Sequence, residues 1–348
     1  MRTRRGRAAG PPTLSEVAAR AGVGRGTASR VVNNSSQVSP TVRDAVLAAV
    51  RELGYVPNRA ARALVTRRTD SVALVISESG ERAFGEPFFA GIARGVSAGL
   101  AETPLQLWLS WIQSEGGRRK MEQQLTNQHV DGVMLISLHD ADPLPGLLMA
   151  RGLPTVLGGR PARMLGVDAQ PGWFVDVDNA GGARQATNHL LDIGRRVVAT
   201  VAGPQDMGAG VTRLAGYRQA LAARGCPVAP DLIEYGDFSA PSGVVAMARL
   251  LARRPDLDAV FVASDLMALG AIQALHDARR RIPEDVAVVG FEDSSLALHA
   301  NPPLTSVHQP VITMGREMAR LLVAQIRGED VGSTAGFLDT HLVRRQSP

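Results

Sequence analysis

Apolar side chains between residues 13 and 54 recur at helical spacing in three short bursts. Leu14, Val17, Ala18 and Ala21 share one face of the first. Ala28, Val31 and Val32 would turn inward from a second, over about 25–33. Val42, Ala45, Val46, Ala49, Val50 and Leu53 repeat three and four apart in the third. Each burst is punctuated. Thr13-Leu-Ser-Glu16 has the form of a capping box, in which hydroxyl and carboxylate exchange bonds with each other's backbone amides. Gly22 suits the left-handed residue that ends a helix, and Val23 can anchor the turn that follows. Ser39-Pro40 reads as a cap followed by a proline at the first helical position, and Gly54 as a stop. Three short helices with a tight glycine turn between the first two make the plan of a helix-turn-helix. The second helix of that plan offers its N-terminal residues to base edges in the major groove. Arg25, Gly26, Ser29 and Arg30 fall on its outward face.

After Pro57 comes an Ala-rich stretch, Asn58 to Thr66, that is marginal as a helix in water at this length. From residue 71 the pattern changes. Apolar runs at 72–77, 105–111, 132–137, 155–158, 174–177, 197–202, 259–264 and 286–290 alternate with helical stretches near 87–102, 117–128, 180–193, 210–224, 241–253, 265–280 and 311–327. Short β-branched strands with helices between them predict an α/β fold with parallel sheets covered on both faces. Two such sheets fit the length, and ligands in these folds bind at the C-terminal ends of the strands. The expected architecture is therefore an all-α helix-turn-helix head and a two-lobed α/β core with a cleft.

Charge sharpens this division. Residues 1–70 hold thirteen arginines against four acidic residues, a net of +9, whereas the whole chain is +5. Lys120 is the sole lysine, so compositional bias explains arginine over lysine but not its concentration in the head. A basic head on a mildly acidic body points to a polyanionic partner.

Other classes are disfavoured. The seven histidines show no metal-ligand spacing, and there is no Gly-x-Ser-x-Gly elbow. Gly22-Val-Gly-Arg-Gly26 lacks the preceding strand of a dinucleotide loop, and Gly158-Gly-Arg-Pro161 is too short for a phosphate loop. No enzyme, cofactor or metal is expected. Cys226, alone, reads as a small hydrophobe near a turn. No apolar run approaches the roughly 20 residues of a membrane span, and the basic, Gly/Pro-rich start is unlike a signal peptide. The expected location is the cytoplasm, with nucleoid association when bound to DNA.

The head resembles the LacI/GalR repressor family. The matching residues are Thr13-Leu-Ser-Glu-Val-Ala-Ala-Arg-Ala-Gly-Val, Thr27-Ala-Ser-Arg-Val-Val-Asn-Asn, Val38-Ser and Leu53-Gly-Tyr-Val-Pro-Asn-Arg-Ala-Ala, in order and spacing. The resemblance continues through Glu86-Pro-Phe-Phe-Ala-Gly-Ile, Gly132-Val-Met-Leu-Ile, Val177-Asp-Asn and Arg213-Leu-Ala-Gly-Tyr-Arg. It extends to Ala263-Ser-Asp-Leu-Met-Ala-Leu-Gly, Pro283-Glu-Asp-Val-Ala-Val-Val-Gly-Phe and Pro302-Pro-Leu-Thr-Ser-Val-His-Gln-Pro. It implies a periplasmic-binding-protein-like core. It implies a tail at 1–12, a DNA-binding domain at 13–56, a hinge helix and linker at 57–70 and an effector and dimerisation domain at 71–348. The first lobe would be 71–172 with 309–328, and the second 173–308 with 329–348. Base reading falls to Arg25, Gly26 and Arg30, and glycine has no side chain with which to read. Thr13, Thr27, Ser29, Asn33 and Tyr55 complete the head's DNA-facing set. In the hinge, Asn58, Arg59, Ala61 and Arg62 face DNA, and Leu64 wedges into a minor-groove step.

The resemblance also implies double-stranded operator DNA, a homodimer and a small effector, a sugar, that folds or melts paired hinge helices. Corepression and a stand-alone sugar-binding protein are the alternatives. No leucine heptad follows the last strand-like run, so dimers rather than tethered tetramers are expected. In the cleft, Arg213 is placed at the opening of a helix as the effector's anchor and Phe238 as a stacking ring. Asp178, Ser264, Asp265 and Glu292 are further candidates, with capping as the other reading of Asp265 and interlobe bonding that of Asp178. The family usually has Asn at Ser264 and Asp at Glu292. Phe84, Glu86, Phe88 and Phe89 would line the first-lobe wall. Trp108 and Trp111 would face opposite sides of a strand, with core packing the safer reading for either. Leu64-Val-Thr-Arg-Arg-Thr, Gly158-Gly-Arg-Pro and Gly203-Pro-Gln-Asp-Met are similar to regulators of cellobiose and β-glucoside use.

Overall fold

Three helices form the head: α1 (Leu14–Arg20), α2 (Arg25–Val32) and α3 (Pro40–Leu53). A computed structural model describes residues 11–33, 35, 37–56, 68–78, 85–112, 115–126, 129–166 and 172–348 of the chain. They fall into two compact units, one ending at Thr69 and one beginning at Asp70. The capping box is formed: the Glu16 amide donates to Thr13 Oγ1 at 3.3 Å, and the Thr13 amide to the Glu16 carboxylate at 2.6 Å. Gly22 and Gly54 take left-handed φ values of 68° and 61°, which end α1 and α3. Ser39 stands at the N-cap of α3, but its hydroxyl makes no capping bond, and Pro40 preorganises the first turn instead. Val17, Ala18, Ala28, Val31, Val46 and Ala49 are the buried centre, and Arg20 ties α1 to α3 through Glu52 at 2.7 Å.

The second unit holds two six-stranded sheets. The first contains β1 (Ser71–Ile76), β2 (Gln106–Trp111), β3 (Gly132–Ile136), β4 (Thr155–Gly158), β5 (Trp173–Val177) and β11 (Ala335–Leu338), in the order β2-β1-β3-β4-β5-β11, all parallel. The second contains β6 (Val198–Ala202), β7 (Ile233–Tyr235), β8 (Ala259–Val262), β9 (Ala287–Glu292), β10 (Thr305–His308) and β12 (His341–Val343), in the order β7-β6-β8-β9-β10-β12. There β12 alone pairs antiparallel. Each sheet repeats one doubly wound order, with its reversal beside the first strand. That reversal opens a crevice at the strands' C-terminal ends. β1, β3, β4 and β6 are buried throughout, as strands covered on both faces must be, which is why they read as continuous apolar runs.

Two expectations need correction. β5, expected to begin the second lobe, pairs with β4 in the first, and the C-terminal segment splits, β11 joining the first sheet and β12 the second. The chain thus changes lobe after β5, after β10 and after β11. Trp108 is 51% exposed because β2 is an edge strand, whereas Trp111 packs against the first lobe's core.

Helices α4 (Pro87–Leu100) and α12 (Val311–Arg327) pack in contact on the first sheet. A Cβ on Gly95 would lie 2.1 Å from the Ile312 carbonyl oxygen, so the helices approach to backbone contact there. The first lobe also carries α5 (Glu115–Thr126) and α6 (Leu144–Ala150). The second carries α7 (Asn179–Asp192), α8 (Gly208–Ala223), α9 (Ala240–Arg253), α10 (Asp265–Asp277) and α11 (Ser295–His299). Among the described residues no helix is long and apolar enough to cross a membrane, and no cluster of metal-ligating side chains forms.

Candidate functional site

The outward face of α2 is bare and basic. Arg25, Gly26, Arg30 and Asn33 are exposed, and Thr27 and Ser29 half-buried. No acidic residue stands in its first turn. A Cβ on Gly26 would meet nothing within 4 Å, so nothing within the head demands glycine there, and the backbone is open to close approach from outside. Asn33 donates to the Ser29 hydroxyl at 3.3 Å, Tyr55 packs against the head's core, and Thr13 is committed to its cap. Asn58, Arg59, Ala61, Arg62 and Leu64 lie outside the described residues.

A pocket opens between the two lobes at the C-terminal ends of β3, β4, β5, β9 and β10. Arg213, 3% exposed, is its centre. It lies in the second turn of α8, which begins at Gly208 rather than at Arg213 as expected. Its Nε donates to Asn179 Oδ1 at 2.8 Å, Nη1 to the Ala263 carbonyl at 2.7 Å and Nη2 to Gln309 Oε1 at 3.0 Å. Its plane lies over Phe291, 3.7 Å from the ring centroid, with Phe238 at 5.8 Å. These bonds use three of five N–H groups, leaving one on each terminal nitrogen for a ligand.

Burial lowers the Arg213 pKa to about 10 against the opposing charges of Glu292, Asp176 and Asp265, so it stays protonated at neutral pH. Burial, then the charge of Asp265, pushes Glu292 up to about 8, so this carboxyl can donate as well as accept hydrogen bonds at neutral pH. Asp265 is raised by burial to about 6 despite accepting from Ser306 Oγ at 2.6 Å and the Ser294 amide at 2.7 Å.

The first-lobe wall is mostly apolar, with Phe88, Phe89, Leu138, Gly158 and Met314, and Phe88 and Phe89 meet edge-on. Arg160 adds a cation to it, bonded to Asp176 at 3.2 Å and stacked 4.6 Å from the Phe174 centroid. Ser137, Phe238 and Glu292 all hold left-handed φ values, of 59°, 71° and 109°. Such backbone is costly for residues with side chains, and it gathers here at the pocket rim.

Of the expected cleft residues, Glu86, Phe88, Phe89, Arg213, Phe238 and Glu292 meet in the pocket. Asp178, Ser264 and Asp265 do not line it. Asp178 is exposed and caps α7 through the Gly181 amide at 2.7 Å. Ser264 caps α10 through the Met267 amide at 3.2 Å, displacing Asp265 from the capping role. Asp265 instead buttresses the turn behind Glu292 through its bonds to Ser294 and Ser306. Phe84 lies outside the described residues. Ser137, Arg160, Met207 and Gln309 were missed as pocket residues. Arg160 and Gln309 stand just beyond β4 and β10, and position after a strand end was the available signal.

Comparison with known proteins agrees with both halves. Residues 13–58 match the family described as bacterial regulatory proteins, lacI family, and residues 187–348 match the periplasmic binding protein-like domain. The chain is 57% identical over 336 residues to the HTH-type transcriptional regulator CelR of Thermobifida fusca, covering 97% of this chain and 98% of that one. It is 33% identical over 321 residues to the ribose operon repressor of Escherichia coli K12, covering 90% and 93%. Among solved structures, the transcriptional regulator CelR–cellobiose complex is 55% identical with a TM-score of 0.78, covering 97% of this chain and all of that one. The lac repressor dimer bound to operator and the anti-inducer ONPF is 28% identical with a TM-score of 0.82, covering 97% and 99%.

Proposed function

The chain belongs to the lacI family of bacterial regulatory proteins, and from that premise we propose that it represses carbohydrate-use genes and is released by cellobiose or a related oligosaccharide. It is a DNA-binding transcriptional regulator, not an enzyme. The observation that carries the effector reading is the pocket's mixed polar and apolar chemistry. The Arg213 fork and the Glu292 carboxyl suit hydroxyls, and Phe88 from the first lobe and Phe238 from the second suit the apolar C–H faces of a sugar. Cellobiose is favoured because a relative 55% identical to this chain is described in complex with it.

In this reading Arg25 and Arg30 read guanine edges from α2, each through a bidentate contact. Residues 57–70 act as the hinge, with Leu64 as its wedge. Two heads, carried by a dimer in the cytoplasm, meet the halves of a palindromic operator. An effector releases DNA by binding one state better than the other, and a hundredfold loss of operator affinity asks for about 2.7 kcal/mol of coupling.

The test is operator binding by fluorescence anisotropy, with DNA from upstream of the protein's own gene. Glucose, cellobiose, longer cello-oligosaccharides, maltose, lactose and hypoxanthine are titrated in at fixed salt. Release by cellobiose or its longer homologues is expected. Tightening by any compound would make the protein corepressed. No preference for a palindromic site over random DNA would remove the reading of α2.

A further inference from the structure

Apart from the crossings after β5, β10 and β11, a turn of the second lobe docks directly onto the first. Its focus is Asp206, between β6 and α8. The Asp206 carbonyl accepts from the Asp140 amide at 3.0 Å and from the Ala162 amide at 3.3 Å, and the Gly208 amide donates to the Arg160 carbonyl at 2.9 Å. A Cβ on Gly208 would lie 2.4 Å from that carbonyl oxygen, so the two backbones touch there. The side chains add a second layer. His139 follows β3, and its Nδ1 lies 2.8 Å from the Asp206 carboxylate while its Nε2 lies 3.2 Å from Glu78, which follows β1. Both ring nitrogens face acceptors, so both bonds form together when the imidazole is protonated. Of its two carboxylates, Glu78 belongs to its own lobe and Asp206 to the other.

We propose that Asp206 and His139 form a latch that holds the lobes closed over the pocket, and that the proton on His139 sets its strength. The inference rests on the reading of this pocket as the effector site. Among the described residues, the neighbouring charged groups have partners of their own. Asp142 binds Arg118 at 2.7 Å, Asp140 accepts the Arg163 amide at 2.7 Å, and Arg160 holds Asp176. The bond to Glu78, then that to Asp206, raises His139 to about 9 against the opposing effect of burial. Opening withdraws Asp206 and leaves Glu78, so the closed form binds the proton more tightly. Closure is therefore favoured while His139 is protonated and fades as pH rises through about 9. His139 and Asp206 are positioning residues: neither lines the pocket, and they act on a ligand by setting the distance between its walls.

The test compares wild type, H139Q, D206N and the double variant, all altered at partly exposed side chains. Calorimetric binding of cellobiose at pH 7 should weaken about tenfold in each single variant and no further in the double. Between pH 7 and pH 9.5 wild type should lose affinity that D206N does not lose, and any slope left in D206N belongs to Glu292. Hydrogen exchange without ligand should show the Asp140, Ala162 and Gly208 amides losing protection in H139Q, while the Asp178 amide, bonded to the Leu338 carbonyl at a crossing, keeps it. Additive losses in the double variant, or unchanged exchange in H139Q, overturn the latch. If cellobiose does not bind wild type, the effector reading fails, and the exchange comparison still decides the latch.

Discussion

The head and the pocket treat charge in opposite ways. The first seventy residues carry a net +9, and α2 leaves Arg25 and Arg30 exposed with no acidic residue in its first turn. In the pocket, Arg213 is enclosed by Asn179, Gln309 and a backbone carbonyl and balanced by three carboxyl groups. One region keeps its charges in water and unbalanced, where they act at a distance on a polyanion. The other keeps them dry and balanced, where they act by geometry at contact. The exposed set is screened by salt and the buried set largely is not.

The largest expected effect tests that contrast. A protein making about 6–10 phosphate contacts loses ~10³–10⁵ in DNA affinity between about 50 and 200 mM salt. Operator binding by this protein should fall on that scale, while cellobiose binding hardly moves over the same range. A salt slope for the sugar as steep as that for DNA would mean that the buried charges are not balanced as described.

Next in size is the loss of Arg213. Arg213→Ala leaves Glu292, Asp265 and Asp176 around an empty position, and breaking a buried charge set by removing one partner costs about 3–5 kcal/mol. Thermal unfolding of the core should drop accordingly, and the effector response should vanish. Arg213→Lys keeps the charge but cannot reach Asn179, Ala263 and Gln309 together, because an ammonium lacks the planar fork. A folded Arg213→Lys protein that binds operator and ignores cellobiose is the expected result. One that still responds normally would take Arg213 out of the site.

The same contrast explains what could be read along the chain. The helix-turn-helix was legible because its features are local. The cap, the glycine turn and the outward arginines lie within two dozen residues, and their spacing dictates which face they share. The strand–helix alternation of the core was legible for the same reason. The pocket was legible only in part, because it is assembled from loops hundreds of residues apart. Asp265 looked like a site residue or a cap. Whether it meets a ligand depends on Ser306, forty-one positions away, which turns its carboxylate toward the back of β9. Arg160 lay in a run that reads only as too short for a phosphate loop, and its place in the wall depends on Asp176 and on the Phe174 and Phe337 rings. Edge position was equally hidden: Trp108 lies on an outer strand only because β1 takes β2 as its outer neighbour.

A smaller effect separates reading from steering within the head. Arg30→Ala should weaken specific operator binding by about 1–3 kcal/mol through loss of a base contact and relax the preference at that base pair. Random DNA should lose far less, since one phosphate-range charge among many remains to be compensated. Equal losses on both would assign Arg30 to the field of the head rather than to its code.

The smallest effect concerns how the head holds α2 in place. Its buried centre is six aliphatic side chains, so terminal contacts matter more there than in the core lobes. Thr13→Ala removes the hydroxyl that accepts the Glu16 amide, a loss worth about 1 kcal/mol at an N-cap, or about 4–8 °C in a domain of this size. The same substitution changes the head's response to acid. The Thr13 amide, then its hydroxyl, holds the Glu16 carboxyl below the ordinary carboxylate range. A depressed carboxylate contributes stability that is present above its unfolded pKa and lost as pH falls through the folded one. Wild-type head should therefore soften on acidification through the box, and Thr13→Ala should soften less because part of the box is already gone. Melting followed by circular dichroism at pH 7 and below pH 4 checks both. Parallel acid profiles for the two proteins would show that Glu16 is held by the amide alone and that the hydroxyl only caps.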